Sequence, residues 1–218
     1  MNAPEQVLAE QLTRGSAALH LALSAEQCNK LLAFLQLLIK WNQVYNLTAV
    51  RNPSDMITRH LLDSLAVIPF IKGPRVLDVG TGAGLPGIPL AIALPDLDFV
   101  LLDSVAKKTR FVVQATSELG LSNVVVKTQR VEKYHSLGLF DTVISRAFSS
   151  IAEFATVAGA LCRRNEGVLL AMKGRDPQDE LSALPPGYGA KAVTRLTVPD
   201  LDEERHVVQL VRINSLDT

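Results

Sequence analysis

The chain has 218 residues, enough for one sizeable core or for one domain with a small appendage, and its 48% apolar and 20% charged content is that of an ordinary soluble protein rather than a disordered one. The formal net charge is zero, which gives no global attraction to nucleic acid. Two cysteines, Cys28 and Cys162, are too few for a disulfide framework and lack the spacing of a zinc site, so they read as core residues of a reducing compartment.

The start, MNAPEQVLAEQ, has early acidic residues and no apolar stretch of signal-peptide length, and LLAFLQLLIKW is too short to span a bilayer. A cytoplasmic protein without a membrane partner is the expectation. Ser24 and Gln27 form a capping-box pattern, and Leu31, Leu32, Phe34, Leu35, Leu38 and Ile39 recur at helical spacing, so an amphipathic helix is predicted to end near Trp41. A second helix should start with Asn52 as cap and Pro53 in the first turn, carrying Met56, Ile57, Leu61, Leu65 and Ile68 on one face. Residues 1–72 therefore read as an all-helical subdomain.

From Arg75 the pattern changes to strand-length apolar runs, RVLDVG, DFVLLD, NVVVK, DTVIS and GVLLAM, alternating with helices predicted over 86–94, 105–119 and 150–161. Strands apolar on both faces imply a parallel sheet wound with helices on both sides. Two further strands, AVTRLTV and HVVQLVRI, are joined by PDLDEE, a link short enough to require an antiparallel pair at the sheet edge. Residues 73–218 are thus expected to form an α/β domain, a doubly wound and mostly parallel seven-stranded sheet. Charge is uneven within it. Residues 105–175 carry eleven basic against five acidic groups, and residues 176–218 carry four against eight. That leaves open both a local basic surface and ordinary solvated helix faces.

The stretch VLDVGTGAGLPGIPL, residues 76–90, places four glycines in eight positions directly after the first strand. In such sheets ligands bind at the carboxyl ends of the strands, and glycines there admit positive φ and a close approach to the main chain. Two ligands compete. Residues 82–87 match GxGxxG and Asp103 ends the next strand, as for a nicotinamide dinucleotide, although counting from Gly80 at the strand end puts Leu85 where the third glycine belongs. The pattern D-x-G-x-G-x-G beginning at Asp78, with Asp103 as second acid, instead resembles the S-adenosylmethionine site of class I, Rossmann-like methyltransferases. That resemblance implies Asp78, Gly80, Gly82 and Gly84 beside the cofactor and Asp103 on the ribose hydroxyls, with roughly 1.5–3 kcal/mol per charged hydrogen bond. A helix cap before Val105 is the competing role for Asp103.

The segment after the fourth strand, Ile144-Ser145-Arg146-Ala147-Phe148, lacks the proline motif with which amino-group methyltransferases grip a nitrogen, and Cys162 beside two arginines is badly placed as a nucleophile for pyrimidine carbon methylation. Trp41-Asn-Gln-Val-Tyr45-Asn46-Leu47-Thr48, His60-Leu-Leu-Asp63-Ser64, the 78–87 loop, Arg130-Val-Glu132 and Ser145-Arg146-Ala147 occur in this order. The series is similar to the bacterial small-subunit (16S) ribosomal RNA guanine-N7 methyltransferases, the glucose-inhibited division protein B family. The resemblance implies S-adenosylmethionine as cofactor, with no metal, and small-subunit ribosomal RNA or an assembling subunit as partner of a monomer. It places Gly80 and Leu85 in the cofactor loop, Val131 and Glu132 at the adenine, and Arg146 on the substrate side of the pocket, with Arg146 and Arg130 as candidate catalytic residues.

Asn46, His60 and Asp63 fall in the family's helical motifs; Asn46 and His60 are candidate RNA contacts, with a polar residue on a helix flank as the other reading of His60. Arg130, Arg163, Arg164, Lys173 and Arg175 are candidate phosphate contacts, while Lys107, Lys108 and Arg110 are assigned to a solvated helix face. Guanine N7 has a lone pair and no proton to lose, so direct displacement needs alignment, worth about 7–11 kcal/mol, but no general base. Arg146 would orient the base through O6, unless it is merely a structural ion pair. A nicotinamide-dependent oxidoreductase and a non-catalytic ribosome-associated RNA-binding module remain the alternatives.

Overall fold

The computed structural model describes residues 3–146 and 148–213. Ala147, the last residue of the Ser145-Arg146-Ala147 motif, lies outside them. The helical segment contains α1 (Ala3–Ala18) and α2 (Ala25–Tyr45). Ser24 caps α2 by accepting from the Gln27 backbone while the Gln27 side chain accepts from Ser24, the reciprocal box that the sequence announced. The helix runs one turn past Trp41, because Asn46 adopts a left-handed conformation, φ 49°, and closes it. The next helix starts as expected, Asn52 accepting from the Ser54 and Asp55 amides, with Pro53 in the first turn. It continues as α3 (Pro53–Met56), a π-helical segment over Ile57–Leu62, and α4 (Asp63–Leu65). The wider π turn is a feature that apolar periodicity does not encode, and such turns recur at functional sites. Arg59 and His60 lie in it.

The sheet consists of β1 (Arg75–Val79), β2 (Asp98–Asp103), β3 (Val124–Thr128), β4 (Thr142–Ser145), β5 (Val168–Lys173), β6 (Tyr188–Arg195) and β7 (His206–Arg212). Their spatial order is β3-β2-β1-β4-β5-β7-β6. The first five strands are parallel, and β7 enters antiparallel between β5 and β6. The tail thus forms the expected antiparallel edge, although β6 starts at Tyr188, earlier than the apolar run suggests, with a register shift at Ala190/Ala192. Helices α5 (Gly87–Ala93), α6 (Ala106–Glu118), α7 (Ile151–Ala158) and the short α8 (Gln178–Leu181) complete the chain. No helix among the described residues is long and apolar enough to cross a membrane.

The two faces of the sheet bury different residues, as the period of two requires. Leu77, Val79, Leu102, Val143 and Leu169 pack with Phe154 of α7 on one face. Val76, Phe99, Leu101, Ile144 and Leu170 belong to a cluster on the other face that also contains Phe111 of α6, Leu12, Phe34 and Leu38 of the first two helices, and Leu61. Residues on both sides of position 72 therefore share one core. Phe111 marks the joint, with ring centroids 6.1 Å from Phe34 and 5.6 Å from Trp41. We expect Phe111→Ala to lower stability by about 3–5 kcal/mol, with Phe111→Leu costing far less. Because the core is continuous, urea unfolding followed by Trp41 fluorescence and by circular dichroism should give coincident transitions.

Candidate functional site

The loop leaving β1 is shaped by one buried carboxylate. Asp78 is fully buried, and its Oδ2 accepts from the Thr81 hydroxyl at 2.6 Å and the Gly87 amide at 2.9 Å. One oxygen thereby ties the start of the loop to the first residue of α5. Between those anchors Gly80, Gly82 and Gly84 have φ of 72°, 60° and 80°, a region that residues with a Cβ enter only with strain. Gly87 is needed for a different reason: a Cβ there would collide with Leu101 and approach Asp78 Oδ2 to 2.7 Å. At Gly82 an added Cβ would meet nothing closer than 3.9 Å, so the backbone is bare on that side and open to a ligand.

Asp103, at the carboxyl end of β2, faces this loop. Its Oδ2 accepts from the Gly82 amide at 2.9 Å and its Oδ1 from the Val105 amide at 2.8 Å. The helix-entry role and the loop-facing position therefore coexist, and each carboxylate oxygen retains acceptor capacity for a hydroxyl. Leu47, Thr48, Gly80, Thr81, Gly82, Ala83, Leu85, Lys108 and Arg146 enclose a pocket of about 230 Å³ here. Backbone at positive φ, a bare glycine face and a carboxylate beside it suit the ribose and amino-acid portions of S-adenosylmethionine. Val131 and Glu132 lie in a turn on the same edge of the sheet, where the Gln129 amide donates to the Asp103 carbonyl at 3.0 Å. Arg130 begins that turn and is exposed.

A second pocket, of about 330 Å³, adjoins the first. It is lined by Arg59, His60 and Asp63 from the helical segment, Arg146 and Lys173 from the sheet, and Arg205 and His206 from the tail, among others. Arg146 lines both pockets. Its Nη1 donates to Asp63 Oδ2 at 3.2 Å and to the Arg59 carbonyl at 3.2 Å. Asp63 is buried, and its other oxygen takes Arg205 Nε at 3.2 Å, so one carboxylate bridges two arginines. His60 is also buried, with Nε2 2.9 Å from the Thr48 hydroxyl. Burial first, then the Arg146 charge, lowers its pKa to about 4, so it is neutral at pH 7.

The structure brings Asp78, Gly80, Gly82, Gly84, Leu85, Asp103, Arg146 and His60 together. Asn46 is exposed and does not line either pocket; it closes α2 and accepts from Arg51 Nη2 at 2.7 Å. Lys173 is at the site, held by Glu180 at 2.8 Å, and Arg175 is exposed on the same edge. Arg163 and Arg164 are elsewhere: the Arg163 amide donates to the Phe140 carbonyl and its side chain pairs with Asp141 at 3.1 Å, before β4, at the amino ends of the parallel strands. Sequence reading gave them to the site because it counts charge along the chain, not position on the sheet. Conversely, Lys108 lines the loop pocket instead of belonging to a wholly solvated face. Thr48, Arg59, Arg205 and His206 were not singled out as site residues, and Arg205 in particular follows a run of acids that suggests only a solvated turn. Cys162 is buried, and that burial pushes its thiol up to about 12, which fits a core residue and not a nucleophile.

The rRNA small subunit methyltransferase G family model matches residues 27–208. The chain is 53% identical over 199 residues to the ribosomal RNA small subunit methyltransferase G of Nitrosococcus oceani, covering 91% of this chain and 92% of that protein. It is 50% identical over 204 residues to the protein of that name from Pseudomonas syringae pv. tomato, covering 94% and 96%. Among solved structures, the O-methyltransferase TomG from Streptomyces achromogenes in complex with SAM superposes with a TM-score of 0.54 at 18% identity, over 83% of this chain and 90% of that one, a likeness of fold.

Burial, opposed by the Thr81 and Gly87 hydrogen bonds, raises the pKa of Asp78 to about 6 from an ordinary 3.8. A folded-state pKa above the unfolded one means the folded protein binds the extra proton, so this group's contribution to stability is full below about pH 4 and is lost as pH rises through about 6. We expect Asp78→Asn to flatten that decline, read as the difference in urea midpoints between wild type and variant at a series of pH values across this window.

Proposed function

The chain belongs to the rRNA small subunit methyltransferase G family, and from that premise we propose that it transfers the methyl group of S-adenosylmethionine to N7 of a guanine in small-subunit ribosomal RNA. The family assignment sets aside the nicotinamide reading of residues 82–87. The observation that carries the acceptor side is the double position of Arg146, which lines the glycine-loop pocket and also the neighbouring cationic pocket.

S-adenosylmethionine supplies a methyl group on a positively charged sulfur. The bare glycine backbone and Asp103 hold it in the loop pocket, with Val131 and Glu132 at the adenine end and Leu85 and Lys108 as further wall. The acceptor base enters the neighbouring pocket, where Arg146 donates to O6, the neighbour of N7. N7 carries a lone pair and no proton, so His60, neutral at pH 7 by its lowered pKa, has no base to play and serves as wall and hydrogen-bond partner of Thr48. The guanine gains positive charge as the bond forms. A bare arginine would oppose that charge, and Asp63, 3.2 Å from Arg146, offsets it. Catalysis thus rests on alignment and on a locally balanced field.

RNA reaches this edge of the sheet past Arg175 and the exposed Arg130, whereas Arg163 and Arg164 on the opposite edge take no part in holding the target base. The protein acts as a cytoplasmic monomer on protein-free RNA or an assembling subunit.

Three results test this reading. Tritiated methyl from S-adenosylmethionine should appear in 7-methylguanosine of small-subunit RNA taken from cells that lack this protein; label in another nucleoside would refute the N7 assignment. Arg146→Ala should reduce transfer by about 10²–10³, the usual effect of removing one preorganised donor, with a much smaller loss of RNA affinity. Asp103→Ala should weaken S-adenosylhomocysteine binding by at least tenfold in calorimetry, as expected for lost charged hydrogen bonds.

A further inference from the structure

At the rim of the cationic pocket, two arginines from distant parts of the chain converge on one exposed carboxylate. Glu203 Oε1 is 2.7 Å from Arg59 Nη2, and its Oε2 is 3.0 Å from Arg205 Nη2. Arg59 comes from the π-helical segment and Arg205 from the link between β6 and β7. Both arginines line the pocket that Arg146 also lines, and Asp63 joins Arg146 to Arg205. Their anchoring is unequal. Arg205 is also bound through Nε to Asp63, whose side chain is only 3% exposed, whereas the side chain of Glu203 is 48% exposed. Asp63 is thus the permanent partner, and Glu203 is an outer one that can leave without uncovering a buried charge.

Two guanidinium groups held about one oxygen pair apart are suited to a tetrahedral oxyanion as well as to a carboxylate. Glu203 is ionised throughout the neutral range, because the hydrogen bonds from Arg59 and then Arg205 hold its carboxyl below the usual value. Its removal would leave Arg59 and the outer nitrogen of Arg205 unmatched at the pocket entrance. The Asp200 and Glu204 side chains pair with Arg14 and Arg195, and the Glu204 carbonyl accepts from Arg205 Nη1 at 2.8 Å.

We propose that Arg59 and Arg205 form a clamp for a backbone phosphate of the substrate RNA at the entrance to the acceptor pocket, and that Glu203 occupies the clamp in the free protein as an internal stand-in for that phosphate. RNA displaces the Glu203 carboxylate, and the clamp then fixes the strand beside Arg146. This inference rests on the RNA substrate assigned above, but not on the identity of the methylated atom.

The experiment measures binding of in vitro transcribed, protein-free small-subunit ribosomal RNA as a function of salt, with methyl transfer by the wild type and S-adenosylhomocysteine binding by each variant as controls. Glu203→Gln should bind RNA about two- to fivefold tighter, the size of effect expected from freeing exposed ion pairs. Arg59→Ala and Arg205→Lys should bind more weakly, and Arg59→Ala should make the log-log salt dependence shallower by about 0.7, one phosphate contact on a single strand. In an Arg59→Ala, Arg205→Ala background the gain from Glu203→Gln should vanish.

Unchanged or weaker RNA binding by Glu203→Gln overturns the stand-in role, since the carboxylate would then be a neutral ornament or a support for the arginines. A gain that persists without the two arginines overturns the clamp, because it would reflect long-range charge alone. Millimolar inorganic phosphate should compete with RNA for the Glu203→Gln protein more than for the wild type; equal competition would also count against the clamp. If these tests fail while the wild type still labels RNA, only the clamp falls. Absence of both binding and label would remove the RNA assignment itself.

Discussion

A carboxylate that never meets the solvent organises the glycine loop at the carboxyl ends of the strands. Asp78 is carried inside β1, where its neighbours are apolar, and its one hydrogen-bonded oxygen joins Thr81 to the first residue of α5. Burying an acid without partners would be costly, so the site is stable only with the loop folded around it. That closure forces the three intervening glycines into positive φ, and this turns the Gly82 amide toward Asp103 on the adjacent strand. The shape of the glycine loop therefore follows from a core interaction rather than from its own surface.

The neighbouring cationic pocket depends on a second buried acid with a different task. Asp63 comes from the helical segment, Arg146 from the end of β4, and Arg205 from the link before β7. One carboxylate thus joins three regions distant in sequence, and its two bonds replace the hydration that each arginine loses on entering the pocket wall. The helical segment is not an appendage to the catalytic sheet in this respect. It contributes Arg59, His60 and Asp63 to the pocket, Leu47 and Thr48 to the loop pocket, and Phe34 to the common core.

Much of the site was readable beforehand because its determinants are local. A glycine run after an apolar strand, an acid within that strand and another at the end of the next are constraints written within a few residues of one another, and they fix the loop without reference to the rest of the fold. The capping residues Ser24 and Asn52 were legible for the same reason. Arg163 and Arg164 stand away from both pockets, because proximity along the chain says nothing about which end of a parallel strand a residue occupies. Lys108 and Arg205 were overlooked because each stands among charges that suit any solvated surface.

The sequence by itself determined the strand and helix alternation, the glycine loop with its two acids, and the family likeness, since all of these are encoded as periodicity, spacing and residue type over short distances. Only the tertiary structure decided that Arg146 lines two pockets, that Asp63 bridges it to Arg205, and that Glu203 meets Arg59 and Arg205 at the rim. Those partners are separated by up to 144 positions in the chain, the span from Arg59 to Glu203. What brings them together is the burial of one hydrophobic core across both segments, and no local pattern of residues records where a charged side chain will stand once that core has closed.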